Sequence, residues 1–469
     1  MPKISTSTSI VVPAGKRLII QGIGAQATAT VNPGSLGQIY DVSANGQDFF
    51  GPFDRATTVF IQINGGSVQY TAPPDPKGFK DVVVDTSEGF TSIMDAAGSV
   101  LSRKYAAPKF IADLEAARAG VAPLLIAVDG DSNTMGAGAG TGAGGIVGAR
   151  RWSVGAQLAG ILDRTFMYTT NDAFFGDQNC NGGGVTVQQY DPRFSAFGAG
   201  WSQDATASSY GGRMFVGASG GAGALTFRPD KPWNRVRIFA GMNAGTATSV
   251  TVKAAGSSIG TINTRNAGGN LLFDQTVSTG AAAAIQDFSL DTATGGTCFI
   301  SGAIFWDSDN PGCVVVPGGW YGGFVAQFND AQFPWSYQPV AADLSAGMHI
   351  TNMTINNANA STPVETFKAN SLGFHQAVAA TSDVLITGMT PSGSPTTALL
   401  DSYEAALQGI ASTIGSPFPL IDWRDQIGET YAAANAAGWM YDGNHLKGIG
   451  YARQANVYAE IIRSIALAV

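Results

Sequence analysis

The chain has 469 residues, enough for about three domains, and 45% of them are hydrophobic, so a substantial core can be buried. Only 13% are charged, against about 25% in an average protein, while glycines number 61, which predicts many turns and an uncharged polar surface. The net charge of −8 supplies no basic patch and argues against a nucleic-acid partner.

No apolar run reaches the roughly 18 residues that would span a bilayer, so no membrane insertion is expected. The start, MPKISTSTSIVV, lacks the apolar core of a cleavable signal and predicts a soluble protein. Cys180, Cys298 and Cys313 are too irregularly spaced for a disulfide framework or a zinc site. Cys298 and Cys313 fit either a bridge within a β module or two buried free thiols.

Residues 1–82 alternate short β-type runs with turn clusters, and Asn64-Gly65-Gly66 between two runs is a hairpin signal. This predicts a small all-β attachment or binding module that ends at Pro73, Pro74 and Pro76. Residues 83–118 read as a helical linker, with Phe110, Ile111, Leu114 and Ala117 on one face. A buried parallel strand follows at Leu124–Val128 and stops at Asp129-Gly130-Asp131-Ser132-Asn133. Ser132 thus stands at the carboxyl end of a strand, where open α/β sheets bind ligands.

The next stretch, GAGAGTGAGG, contains Gly140-x-Gly142-x-x-Gly145, but the glycines come too late after the strand for a dinucleotide site. It reads as a flexible loop at a pocket rim. Trp152–Leu162 is helical, and residues 165–176 return to the sheet. Between 205 and 310, runs such as WNRVRIFAG and TSVTVKAAG alternate with glycine-rich turns, which predicts an inserted all-β sandwich or jelly roll. Trp306, Trp320, Tyr321 and Trp335 near its exit fit either sugar stacking or a domain-interface core.

From Met348 the strand–helix alternation resumes, as a parallel sheet with helices on both faces requires. Thr362-Pro363-Val364-Glu365 reads as a capping box, and PLIDW as a strand. His349 and His375 read as structural or surface residues. Asp442 and His445 lie three apart, so one turn can present both. Together with Ser132 they supply a nucleophile, a base and an orienting carboxylate.

Gly130-Asp131-Ser132 and Asp442-Gly443-Asn444-His445-Leu446 resemble the first and last motifs of the SGNH/GDSL serine esterases, in that family's order. The resemblance implies an α/β, SGNH-type three-layer sandwich, a Ser132–His445–Asp442 triad and no cofactor or metal. It also implies an oxyanion hole built from the Ser132 backbone N–H, the Gly176 N–H in Ala173-Phe174-Phe175-Gly176-Asp177, and the Asn356 side chain. Thr354 and Asn357 depart from the family's Gly-x-Asn-Asp, which leaves Asn357 and Asn359 as alternatives to Asn356. The domain plan is then 1–82, the 83–118 linker, a first hydrolase part at 119–204, the insertion at 205–310 and a second hydrolase part at 311–469. The insertion is either a structural lid or a sugar-binding module.

The glycine-rich chain, the leading β module and the β-inserted esterase resemble bacteriophage tail spikes or fibres that de-O-acetylate surface polysaccharide. This implies an acetylated polysaccharide as partner, location on a virion tail, other tail proteins as neighbours and a homotrimer. The alternatives are a general carboxylesterase or lipase, and a receptor-binding structural protein with a vestigial esterase fold.

Overall fold

The computed structural model describes residues 107–175, 184–204 and 209–466, and within residues 1–106 only the backbone of the strands named next. The chain divides into two compact units, Met1–Ala106 and Ala107–Val469. In the first, the long strands Leu18–Val31 and Thr57–Thr71 pair antiparallel and carry four shorter strands on their flanks. A separate three-stranded sheet is formed by Val83–Asp85, Thr91–Met94 and Val100–Lys104. The segment expected as a helical linker therefore holds strands as far as Lys104, and only Pro108–Arg118 is helical. The reason is local: Val83-Val84, Ile93 and Val100-Leu101 favour strands, whereas the helical periodicity starts at Phe110.

The second unit is built on a five-stranded, all-parallel sheet, in the order Thr169–Thr170, Cys313–Gly319, Leu124–Gly130, Met348–Asn352, Asp383–Ile386. Leu124–Gly130 is central, and all seven of its residues are buried. Such a strand needs helices on both faces, which explains its unbroken apolar run. Leu125 and Ala127, with Val314, Val316, Val384 and Ile386, point to one face and pack with Val340, Phe367, Phe374 and Tyr403 from the helices Tyr337–Asp343, Val364–Ala379 and Thr397–Thr413. The other face receives Val154–Thr165, which lies against Val128 and Val315 and also packs on the last helix, Gly448–Ala466. Val154, Leu158, Ala159 and Leu162 form its buried stripe, and Ser153 caps its first turn by accepting from the Ala156 N–H at 3.3 Å. Burying a side chain such as Leu158 contributes about 1.5–3 kcal/mol.

The inserted β module starts earlier than expected. Ala173–Phe175 leaves the parallel sheet and pairs antiparallel with Cys298–Trp306. The module therefore runs from about residue 173 to Trp306, as two antiparallel sheets facing each other. Its core is aromatic: Phe174, Phe194, Phe215, Phe227, Phe288, Phe305 and Trp233, with Phe174 lying 5.0–6.4 Å from five of these rings. Ser249–Ala254 alternates half-buried and buried residues, as a strand with one solvent-facing side must.

The module is clasped where it leaves the sheet. Buried Asp172 accepts from the backbone N–H groups of Asp230 and Lys231, at 2.8 and 2.9 Å, and pairs with Arg193. Cys298 and Cys313 are buried free thiols, both pushed up by burial, Cys298 to about 12.

Two smaller expectations fail for physical reasons. Thr362 does not cap Val364–Ala379; Pro363 is the cap residue, and the Thr362 hydroxyl instead accepts from the Asn357 amide. PLIDW yields a single bridge, Thr387 to Ile421, because Asp422 caps a new helix at Trp423. Among the described residues no helix is long and apolar enough to cross a membrane.

Candidate active site

Ser132 stands where the central strand breaks into a one-turn helix, Ser132–Met135. Gly130 makes that break possible: a Cβ there would lie 2.1 Å from the Asn352 carbonyl oxygen and 2.3 Å from Thr134 Oγ1. Asp131 caps the turn by accepting from the Asn133 N–H at 2.9 Å. Its carboxyl is wholly buried, and burial raises it to about 6, although hydrogen bonding by Asn133 and Ile355 and the nearby His445 pull the other way.

Asp442 and His445 reach Ser132 from the far end of the chain. A narrow loop holds them, closed by Tyr441 N–H to His445 carbonyl and Lys447 N–H to Trp439 carbonyl, each 2.8 Å. Asp442 Oδ1 accepts from the backbone N–H groups of Asn444 and His445, both at 2.8 Å. His445 Nδ1 lies 2.9 and 3.1 Å from the two carboxylate oxygens, and His445 Nε2 lies 3.0 Å from Ser132 Oγ. Burial alone would raise the Asp442 carboxyl, but the His445 ring and the two backbone donors outweigh it and hold it at about 2. An ionised Asp442 fixes the proton on Nδ1, so the Nε2 lone pair faces the serine hydroxyl.

The two halves are tied directly. Asn133 donates to the Asn444 carbonyl at 3.2 Å and accepts from the Tyr451 hydroxyl at 3.0 Å. Gly138 packs against the loop so closely that a Cβ would sit 3.0 Å from that of His445. The glycine-rich stretch is consequently a folded loop, pinned by Gly138 N–H to Gly144 carbonyl, Gly140 N–H to Gly145 carbonyl and a Thr141–Val147 bridge.

The three asparagines after Met348–Asn352 are placed differently. Asn357 is buried, accepting from the Val325 N–H and donating to Thr362. Asn359 donates to the Asn444 side chain at 3.1 Å. Asn356 donates to the Gly323 carbonyl at 2.9 Å, against the loop that follows Cys313–Gly319. Gly176 lies outside the described residues, and the strand leading to it, Ala173–Phe175, belongs to the inserted module rather than to the parallel sheet.

The loop missed by sequence reading is Trp320-Tyr321-Gly322-Gly323. Its signal was present, since VVVPGG is an apolar run ending in glycines, like the one before Ser132. Trp320 N–H donates to the Gly130 carbonyl at 2.7 Å, so this loop starts beside the turn that carries Ser132. Tyr321 lies nearly parallel to the His445 ring, with centroids 6.3 Å and planes 18° apart. The other aromatics weighed for sugar stacking are packed inside: Trp320 against Phe328 and Tyr337, Trp335 against Phe333, and Trp306 on the edge of the core.

His349 and His375 are both buried, not on the surface. His349 Nδ1 is 2.6 Å from Asp129 Oδ2, while Tyr210 and Tyr337 donate to Asp129 Oδ1 at 2.6 and 3.2 Å. Burial lowers His375 to about 4, so it is neutral at pH 7. A cavity of about 360 Å³ along Gln408–Leu420 contains no titratable side chain. Among the described residues, no group of three His, Cys, Asp or Glu could hold a metal ion.

By sequence the chain matches no family model and none of the curated proteins. Solved structures do match. A peptidoglycan O-acetylesterase superposes with a TM-score of 0.56 at 16% identity, over 77% of this chain and 97% of its own. A carbohydrate esterase family 2 enzyme with a carbohydrate-binding domain, from Corynascus thermopiles (Myceliophthora fergusii), matches over 99% of this chain and 95% of its own, at 11% identity and a TM-score of 0.32. The mixed α/β architecture, a parallel sheet with added antiparallel sheets, is consistent with an SGNH-like fold carrying extra β domains, and at 16% identity it is the fold that is shared with the peptidoglycan O-acetylesterase.

Proposed function

We propose that this protein is a serine esterase that removes O-acetyl groups from a carbohydrate polymer. The observation carrying this reading is the unbroken hydrogen-bonded chain from Ser132 through His445 to Asp442 at the mouth of a parallel sheet. Ser132 Oγ attacks the acetyl carbonyl while His445 Nε2 takes its proton. His445 then returns that proton to the sugar oxygen as it leaves, and water repeats the sequence on the acyl-enzyme. Asp442 orients the imidazole and stabilises the imidazolium.

The oxyanion would be met by the Ser132 N–H, the Asn356 amide and the backbone of Trp320–Gly323. We assign the third donor to this loop rather than to Gly176, because the loop starts against Gly130 and its Gly323 carbonyl holds Asn356. Each such donor is typically worth about 3 kcal/mol in the transition state. Carbohydrate as substrate class is supported by the likeness to a peptidoglycan O-acetylesterase and by the β-sandwich fixed beside the sheet. Placement on a virion tail, as a spike or fibre, rests on the low charge, the glycine content and the separate N-terminal β unit.

The test is acetate release from a panel of acetylated polysaccharides, with short- and long-acyl nitrophenyl esters alongside, for the parent and Ser132→Ala. Acetate release that Ser132→Ala abolishes supports the reading. Preference for long acyl chains would make the protein a general carboxylesterase or lipase. A folded parent that hydrolyses nothing would leave a binding protein on an esterase fold.

A further inference from the structure

A cavity of about 330 Å³ lies between the glycine-rich loop and the short helix Val187–Tyr190 of the inserted module. Its walls include Ala139, Gly140, Gly148, Arg151, Trp152 and Gln188. The volume falls at the small end of ligand sites, which run from about 300 to 1,000 Å³. Ala139 follows Gly138, where a Cβ would lie 3.0 Å from that of His445, so the cavity wall begins one residue from the glycine that packs on the His445 loop.

The chemistry of the walls is specific. Trp152 is 47% exposed although its backbone is fixed: its carbonyl accepts from Gln157 at 2.7 Å, and Gln157 also donates to Gly448. An indole open to solvent on an anchored backbone offers a stacking platform for the apolar face of a sugar. Arg151 and Gln188 make no hydrogen bond or ion pair with any described residue, so both heads are available to a ligand. A guanidinium presents a planar fork that matches a carboxylate. In a chain of net charge −8, a guanidinium with no partner among the described residues beside an open indole suits an anionic sugar.

We propose that this cavity is a remote sugar subsite that takes a carboxylate-bearing sugar, a uronate, of the polymer whose acetyl group reaches Ser132. Trp152 stacks on the ring, Arg151 pairs with the carboxylate and Gln188 hydrogen-bonds to hydroxyls. The proposal rests on the carbohydrate-esterase reading and adds the substrate's charge and the place where the neighbouring sugar sits. Binding there helps the chemical step only for substrates long enough to reach it, so a nitrophenyl ester gains nothing from it.

The experiment titrates Ser132→Ala protein, which binds without turnover, with hyaluronan tetrasaccharide as the uronate probe and chitotetraose as the neutral one, read by calorimetry. Trp152→Ala and Arg151→Gln are added in that background, and separately in the active enzyme. Expected is binding of the uronate probe in preference to the neutral one, weakened by about tenfold or more by either change. In the active enzyme both variants should keep nitrophenyl acetate turnover within about twofold of the parent, since neither touches the triad. No binding of either sugar, or binding indifferent to both substitutions, overturns the subsite even where ester turnover is intact. Equal affinity for the two probes overturns the carboxylate assignment. Sugar binding in a protein that cleaves no ester would overturn the esterase reading and leave the subsite standing.

Discussion

The molecule holds two aspartate–histidine pairs of nearly equal geometry and different surroundings. Asp442 and His445 lie 2.9 Å apart, with side chains 42% and 13% exposed, while Asp129 and His349 lie 2.6 Å apart and are fully buried. The contrast is in the second ring nitrogen. His445 Nε2 faces a serine hydroxyl, whereas His349 Nε2 has no partner among the described residues. Asp129 is also shared among His349, Tyr210 of the inserted module and Tyr337, so it fastens the module and a helix to the central strand. A carboxylate–imidazole contact alone does not make a base. Access and an aimed hydroxyl do.

Substitutions that break one pair or the other sharpen this contrast. Ser132→Ala or His445→Ala should lower nitrophenyl acetate turnover by at least about 10⁴-fold with no change in melting temperature, and the double variant should lose little more than either single one. Multiplicative losses would mean that the two residues do not share a mechanism. His349→Ala should do the reverse. It leaves Asp129 short of a partner in a dry interior and should cost about 3–5 kcal/mol of stability, while the folded protein keeps kcat within about tenfold. Denaturant unfolding beside initial rates separates these outcomes, and a His349 variant that is stable but inactive would overturn the structural role.

With Asn356 in the proposed oxyanion role, Asn356→Ala should lower kcat by about 10²–10³-fold with little effect on KM, because such a bond strengthens in the transition state. The same loss from Asn357→Ala, with Asn356→Ala silent, would move the oxyanion donor by one residue. The smallest effect concerns Asp131, whose buried carboxyl is raised to about 6. A carboxyl raised in the folded state favours folding when protonated. That contribution is fully present below the unfolded value near 3.8 and is lost as pH rises through 6. Replacing Asp131 with Asn keeps a capping oxygen and removes the titration. The melting temperature of Asp131→Asn relative to the parent should therefore be higher at pH 7 than at pH 4. A difference that does not change with pH would show that Asp131 keeps an ordinary carboxyl pKa.

The sequence by itself determined what depends on neighbours in the chain. Leu124–Val128 had to be a buried strand because its run of aliphatic side chains has no polar face to turn to water. Asp442 and His445 share one carboxylate-capped loop, so their three-residue spacing was enough to pair them. Contacts between distant segments were decided only by the tertiary structure. Ala173–Phe175 reads like the sheet strand that precedes it, and only its pairing with Cys298–Trp306 puts it in the inserted module. By the same cause, only the folded chain brings Trp320–Gly323 against both Gly130 and Asn356. His349 and His375 carry no local sign of burial, because the sheet, Tyr210 and the helix Val364–Ala379 that enclose them come from three separate stretches. Local sterics and periodicity are written residue by residue. Which strand borders which is set by the burial of faces that meet only when the chain has folded.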